Sequence, residues 1–289
     1  MWWWWALSSI NVARAGFGSD GRIRQVEYAL RASARGGLVV AVEAADGALV
    51  AAKIEDEGPV TNLRDDRDLK ISEIAPNLAL GTAGMAGDAR HLASRGRFVA
   101  VEHWFKFGEC PPARRVARGL AEHALSFSGS PLAAEEPRYR TARPMGVSAL
   151  LAGVDRDGAA VYSISPGGDT RRWRAAAVGN QASAAEQALE DELRHCGTST
   201  WTLDDAQRAV VRVMQRVAVQ AAQPALSSDS LRIMLVRQPP PRTPSQTYDA
   251  DTYDDGWFSP RAASCYALTK DEIDELLRLR NTAPPQPSV

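Results

Sequence analysis

The chain has 289 residues, of which 45% are hydrophobic and 24% charged, with a formal net charge of −1. That is ordinary globular composition, long enough to bury a real core as one large domain or two, and it argues against a general polyanion binder. Lys53, Lys70, Lys106 and Lys270 are the only lysines, and the arginines lie scattered among acidic residues, as on solvated helix faces with ion pairs.

The opening Met1-Trp2-Trp3-Trp4-Trp5-Ala6-Leu7 is too short for a membrane span, which needs about 20 apolar residues. It also lacks the basic start and small-residue cleavage site of a signal peptide, so residues 1–15 are expected to form a flexible extension. In residues 16–30, Asp20-Gly21 is a turn pair, and Ile23, Val26 and Leu30, with Ala29 beside them, recur at helical spacing. An acidic residue at the start suits the orphan N–H groups there, so a capped, half-buried helix is expected.

After Gly36-Gly37, residues 38–42 and 48–52 read as strands joined at Asp46-Gly47. Residues 71–74 and 78–82 form a second hairpin across Pro76-Asn77, and the charged stretch 55–68 between the pairs reads as a surface loop. A long helix is predicted over 84–107, with Ala89, Ala93, Ala100 and Trp104 on one face. Pro111-Pro112 opens another, burying Val116, Leu120 and Ala124, and residues 126–143 read as a loop.

Strands return at 146–154, 159–164 and 174–178, then helices at 182–194 and 203–222, the latter with the stripe Val210, Met214, Val217 and Ala221. Leu231, Ile233 and Leu235 alternate as a strand. Thr269-Lys270-Asp271-Glu272 is a capping box opening a last helix that buries Ile273, Leu276 and Leu277. Strands and helices are segregated rather than alternating. This predicts an α+β fold with sheets packed on each other and helices outside.

Cys110, Cys196 and Cys265 show no C-x-x-C spacing, so neither a disulfide framework nor a zinc site is suggested and a reducing compartment fits. His91, His103, His123 and His195 lack metal-binding spacing and are expected on helix surfaces. No metal and no cofactor is expected.

The wording of the first helix says more than its periodicity. Phe17-x-x-Asp20-Gly21-Arg22, followed by Gln25-Val26-Glu27-Tyr28-Ala29, resembles the N-terminal signature of proteasome alpha-type subunits. Further phrases follow in order. Ala83-Gly84-Met85-Ala86-Gly87-Asp88-Ala89-Arg90 is similar to the family's Ala-Gly-x-x-x-Asp-Ala-Arg, and Arg95-Gly96-Arg97 lies where Arg-Ala-Arg is common. Arg143-Pro144-Met145-Gly146-Val147-Ser148 is similar to Arg-Pro-Phe-Gly-Val-Ser, and Ser165-Pro166-Gly167-Gly168 stands in for Asp-Pro-Ser-Gly. Trp173-Arg174-Ala175 and Val178-Gly179 continue in register.

The resemblance implies a four-layer αββα sandwich of two antiparallel sheets between helix layers, over residues 16–280, with an inserted loop at 238–264 and a disordered tail at 281–289. It also implies a subunit of the heteroheptameric outer ring of the 20S core particle, in cytoplasm and nucleus. Its partners would be other alpha subunits, beta subunits and the C-terminal tails of regulatory particles, with neither nucleic acid nor membrane among them. Catalytic members carry a nucleophile at the start of the first strand, with a lysine to tune its amine. Here Gly36-Gly37-Leu38 offer none, although Lys53 could mimic the lysine, so no peptidase activity is expected.

Asp20, Gly21, Arg22, Gln25, Glu27 and Tyr28 mark the expected ring-contact or gate region; Gln25, Glu27 and Tyr28 would either touch a neighbour and order the gating tail or cap and pack within the chain. Lys53 is the candidate partner for an activator-tail carboxylate, although the family's adjacent lysines are replaced here by Lys53-Ile54-Glu55. The family's gate-stabilising tyrosine, aspartate and proline correspond to Ile10, Asn11 and Ser19, so a normal gate cluster is not expected. The insert carries Asp249, Asp251, Asp254 and Asp255, read as a solvated insertion or an acidic docking loop. The rival readings are an active hydrolase of the same fold and an alpha paralogue acting outside the particle.

Overall fold

The computed structural model describes residues 19–54, 70–128, 143–195, 201–224, 226–238 and 263–279. The expectations for the Trp-rich start, for Ile10 and Asn11, for the loop at 55–68 and for the tail lie outside these residues, as do most of the loop at 126–143 and the four insert aspartates.

Helix α1 (Arg24–Ala34) comes first, then strands β1 (Val39–Ala44) and β2 (Gly47–Lys53). A second hairpin follows, β3 (Ile71–Ala75) and β4 (Leu78–Gly84), and then helices α2 (Ala86–Phe107) and α3 (Ala113–Phe127). Strands β5 (Val147–Asp155), β6 (Gly158–Ile164), β7 (Thr170–Trp173) and β8 (Ala175–Val178) precede helices α4 (Ala182–His195) and α5 (Leu203–Gln220). The described chain closes with β9 (Leu231–Arg237), β10 (Ser264–Ala267) and α6 (Lys270–Leu279). Strand β7 was not legible as a strand: three of its four residues are exposed arginines and a tryptophan at a sheet edge.

The strands form two five-stranded antiparallel sheets, ordered β10-β9-β2-β1-β8 and β3-β4-β5-β6-β7. They stack face to face through Val39, Ala41, Val50 and Ala52 on one side and Ala79, Leu150, Ala152 and Val161 on the other. One outer face carries α2 and α3 through Leu80, Leu92, Val116 and Leu120; the other carries α4 and α5 through Val40, Leu49, Val210 and Met214. The architecture is therefore the expected αββα sandwich. Because each central strand is covered on both faces, β1 and β2 read as continuous apolar runs rather than alternating ones.

The turns are built as their residues demand. Asp46 sits in the β1–β2 turn, and its Oδ1 accepts from the Leu203 N–H at 2.7 Å, anchoring the start of α5 to the opposite hairpin. Asn77, buried in the β3–β4 turn, donates to the carbonyls of Pro111 and Val154 at 3.0 and 2.9 Å, tying that turn to the α3 lead-in and β5. The capping box of α6 closes reciprocally, Thr269 N–H to Glu272 Oε2 at 2.8 Å and Glu272 N–H to Thr269 Oγ1 at 3.4 Å.

Candidate functional site

Helix α1 lies across the ends of β4 and β5. Its inner face is Ala29, Ala32 and Ser33, small enough for the backbone to come close; the Ser148 Oγ–H donates to Ser33 Oγ at 2.9 Å, and Ser33 in turn donates to the Leu30 carbonyl at 2.9 Å. Leu30, expected on the buried stripe, is 43% exposed, because the docked face is set by these small residues rather than by the larger apolar ones. Asp20 does not cap the helix either. The N-cap position is Ile23, without a side-chain cap bond, and Asp20 instead accepts from the Arg22 N–H at 3.2 Å and pairs with Arg24 at 3.6 Å. Gly21 takes φ +72° in that turn.

Beneath α1 the backbone is crowded with glycine. A Cβ at Gly36 would fall 2.1 Å from the Gly84 nitrogen, and one at Gly84 would fall 2.2 Å from the Gly146 carbonyl oxygen. Asp88, in the first turn of α2, reaches the same junction. It accepts from both terminal nitrogens of Arg143 at 2.7 and 2.9 Å and from the Gly146 N–H at 2.8 Å. Burial pushes its carboxyl up, but the hydrogen bonds from Arg143 and Gly146 and the Arg143 charge outweigh this and leave it below its ordinary value. At the other end of α1, Val26 approaches the turn at Gly167, while Gly179 stands against Gly36 and Gly37. The phrases around Gly84–Asp88, Arg143–Gly146 and Gly179 thus meet at one junction under the first helix, with Gly167 at its far end, while Arg95-Gly96-Arg97 lies apart against β3 and α3.

That junction also holds the start of β1. A Cβ at Gly37 would lie 2.7 Å from the Lys53 carbonyl oxygen and 3.1 Å from Lys70 Nζ. The lysine beside the position where a nucleophile would be needed is therefore Lys70, not Lys53; its place just ahead of β3 is the signal that sequence reasoning passed over. Lys53 ends β2, and its ammonium donates to Gln223 Oε1 in a cavity on the helix side of the sheet. It is not grouped with the α1 residues.

Those residues form a set of their own. Arg22 pairs with Glu27 at 3.0 Å, Gln25 is half-buried, and Tyr28 is 52% exposed with exposed Arg24 and Arg31 at helical spacing beside it. A second exposed face runs along α2, where Phe98, Val101 and Phe105 project at i, i+3 and i+7 and Phe105 is 76% exposed. Arg95 stacks over the Phe98 ring at 5.0 Å.

His103 and His123 are buried between helices rather than on the surface as expected, since α2 and α3 pack through this side. Burial, with the His91 and Arg95 charges, holds His123 down at about 4. Among the described residues no group of His, Cys, Asp and Glu is arranged to hold a metal ion, and no helix is long and apolar enough to cross a membrane.

The fold and the glycine-led first strand define an αββα sandwich with a helix ahead of its first strand. Residues 33–226 match the family model described as proteasome subunit, and the chain belongs to that family, as a divergent alpha-type member. It is similar to the proteasome subunit alpha of Aeropyrum pernix, 29% identical over 70% of this chain and 72% of the relative. Proteasome subunit alpha type-4 of Drosophila melanogaster is 30% identical over 68% and 72% respectively, and the probable alpha type-2 subunit of Schizosaccharomyces pombe is 29% identical over 78% and 84%.

Proposed function

We propose that the chain is a non-catalytic structural and gating subunit of the outer ring of the 20S proteasome core particle, serving ubiquitin-dependent protein degradation in cytoplasm and nucleus. The observation that carries this reading is the start of β1. It has glycine where a nucleophile would stand; a Cβ at Gly37 would fall 2.7 Å from the Lys53 carbonyl oxygen, and the helix ahead of the strand would be removed by cleavage at the strand start. Lys70 keeps its position beside Gly37 but has no nucleophile to activate.

Ring assembly uses the exposed faces. The Arg22–Glu27 and Tyr28 side of α1 meets a neighbouring alpha subunit, and the Phe98–Val101–Phe105 stripe meets a beta subunit. An exposed apolar stripe of this kind is unusual on a monomer and suits a covered interface. Activator tails end in a carboxylate that needs a point charge. That role, expected of Lys53, passes in this reading to Lys70, which stands at the α1 junction.

The test is co-purification of tagged chain from cells. Wild type should bring down other alpha and beta subunits in a large particle, and a Phe98→Asp, Phe105→Asp double variant should lose the beta subunits while staying folded. Equal recovery of beta subunits by both would remove the α2 face from the account, and wild type recovered alone would refute the reading.

A further inference from the structure

The cavity that Lys53 enters has a volume of about 400 Å³, within the range of small-molecule sites. Its floor is apolar, formed by Leu38, Met214 and Val217, each nearly or fully buried. Its polar wall is Asn180, Gln181 and Gln223. Among the described lining residues Lys53 is the one charged side chain, so no carboxylate of the lining neutralises it. Its ammonium donates to the neutral amide oxygen of Gln223.

Of the two described non-glycine residues with positive φ, one lines this cavity and the other immediately precedes the lining residue Gln223. Gln181 (φ +62°) lines the cavity, and Ala222 (φ +51°) sets the direction of Gln223 through the tight turn in which the Gln223 N–H donates to the Ala218 carbonyl at 2.9 Å. Such conformations cost free energy and persist where surrounding structure enforces them.

The lining selects its ligand. One cation among the described lining residues calls for a single negative charge rather than a phosphate dianion. The apolar floor calls for a hydrocarbon chain. A carboxylate is a stronger acceptor for an ammonium than an amide oxygen, so it can take the place of Gln223 Oε1 and free that side chain to turn aside. We propose that this cavity binds a small free monocarboxylate with a short apolar chain, its carboxylate on Lys53 and its chain on Leu38, Met214 and Val217. The site lies within one chain, so it does not depend on ring membership.

Isothermal titration of the full-length protein with hexanoate, hexanamide and hexylamine tests it. Hexanoate should bind, hexanamide should bind about tenfold or more weakly, as expected for loss of a charge-assisted hydrogen bond, and hexylamine should not bind. Lys53→Met, which keeps the aliphatic stem, should bring hexanoate to the hexanamide level, while Lys270→Met, on the exposed face of α6, should leave it unchanged. Gln223→Glu supplies a carboxylate from the chain itself and should abolish hexanoate binding with the fold intact. Equal affinity for hexanoate and hexanamide, absence of hexanoate binding, or unchanged binding by Lys53→Met would each overturn the proposal. A pentapeptide with a free C-terminus is the competing source of the same chemistry. Failure to displace hexanoate supports the free acid, whereas displacement at equal concentration assigns the cavity to a chain end. Loss of ring assembly with hexanoate binding intact would refute the functional reading alone.

Discussion

Asp88 is the side chain that joins the opening of α2 to the entry of β5, so its removal tests whether the junction beneath α1 is held by this carboxylate. Its side chain is 16% exposed, whereas that of Arg143 is 49% exposed. The bond from the Gly146 N–H to a charged acceptor contributes about 1.5–3 kcal/mol. The Arg143 pair, half in water, adds up to about 1 kcal/mol after solvent screening. Asp88→Ala should therefore cost about 2–3 kcal/mol and Arg143→Met no more than about 1 kcal/mol. Asp88→Asn should fall between them, because it keeps an acceptor for Gly146 but loses the charge. The carboxyl is held below its ordinary value of 3.8, so its contribution is complete above that pH and disappears as pH falls through the lower folded value. Urea unfolding followed by tryptophan fluorescence, at neutral and acid pH, measures both effects. An Arg143→Met cost equal to that of Asp88→Ala, or an Asp88→Asn deficit that persists at the lowest pH, would refute the reasoning.

Three further outcomes are expected. Gly36→Ala should abolish recovery of folded protein, because its Cβ would lie 2.1 Å from a backbone nitrogen that cannot shift cheaply; a circular-dichroism melt matching wild type would contradict this. His123 takes up its proton at about 4 when folded against 6.5 ordinarily, so the unfolded chain binds protons first as pH falls. Its contribution is whole above the ordinary value and is lost on the way down to about 4, and His123→Leu should flatten the drop in urea midpoint between neutral pH and about pH 5. Burial, then the Glu73 charge, pushes the half-buried Cys265 thiol up to about 12, so iodoacetamide should label it more slowly in native than in unfolded protein, as read by peptide mass mapping; labelling at equal rates in both would contradict the raised thiol.

Much of this was legible in the sequence because the relevant signals are local. The paired strands announce themselves by apolar runs around Asp46-Gly47 and Pro76-Asn77, and the last helix by its Thr269–Glu272 box. What escaped depends on distant packing. Leu30 looks buried by spacing, yet Ala29, Ala32 and Ser33 are what the glycine junction admits. His103 and His123 carry no sign of burial, since only the approach of α2 to α3 covers them. Lys53 was favoured by its strand position, while the approach of Lys70 to Gly37 comes from the fold of a different hairpin. The motifs were visible singly. That Asp88 of one phrase grips Arg143 and Gly146 of another is a fact of three dimensions.

Native mass spectrometry of the complex purified through this chain from its own cells bears most directly on the claim that it is a non-catalytic outer-ring subunit. The account predicts a particle containing other alpha subunits and beta subunits, with this chain present and still carrying the residues ahead of Gly37. A free monomer, or a chain cleaved at the start of β1, would contradict it.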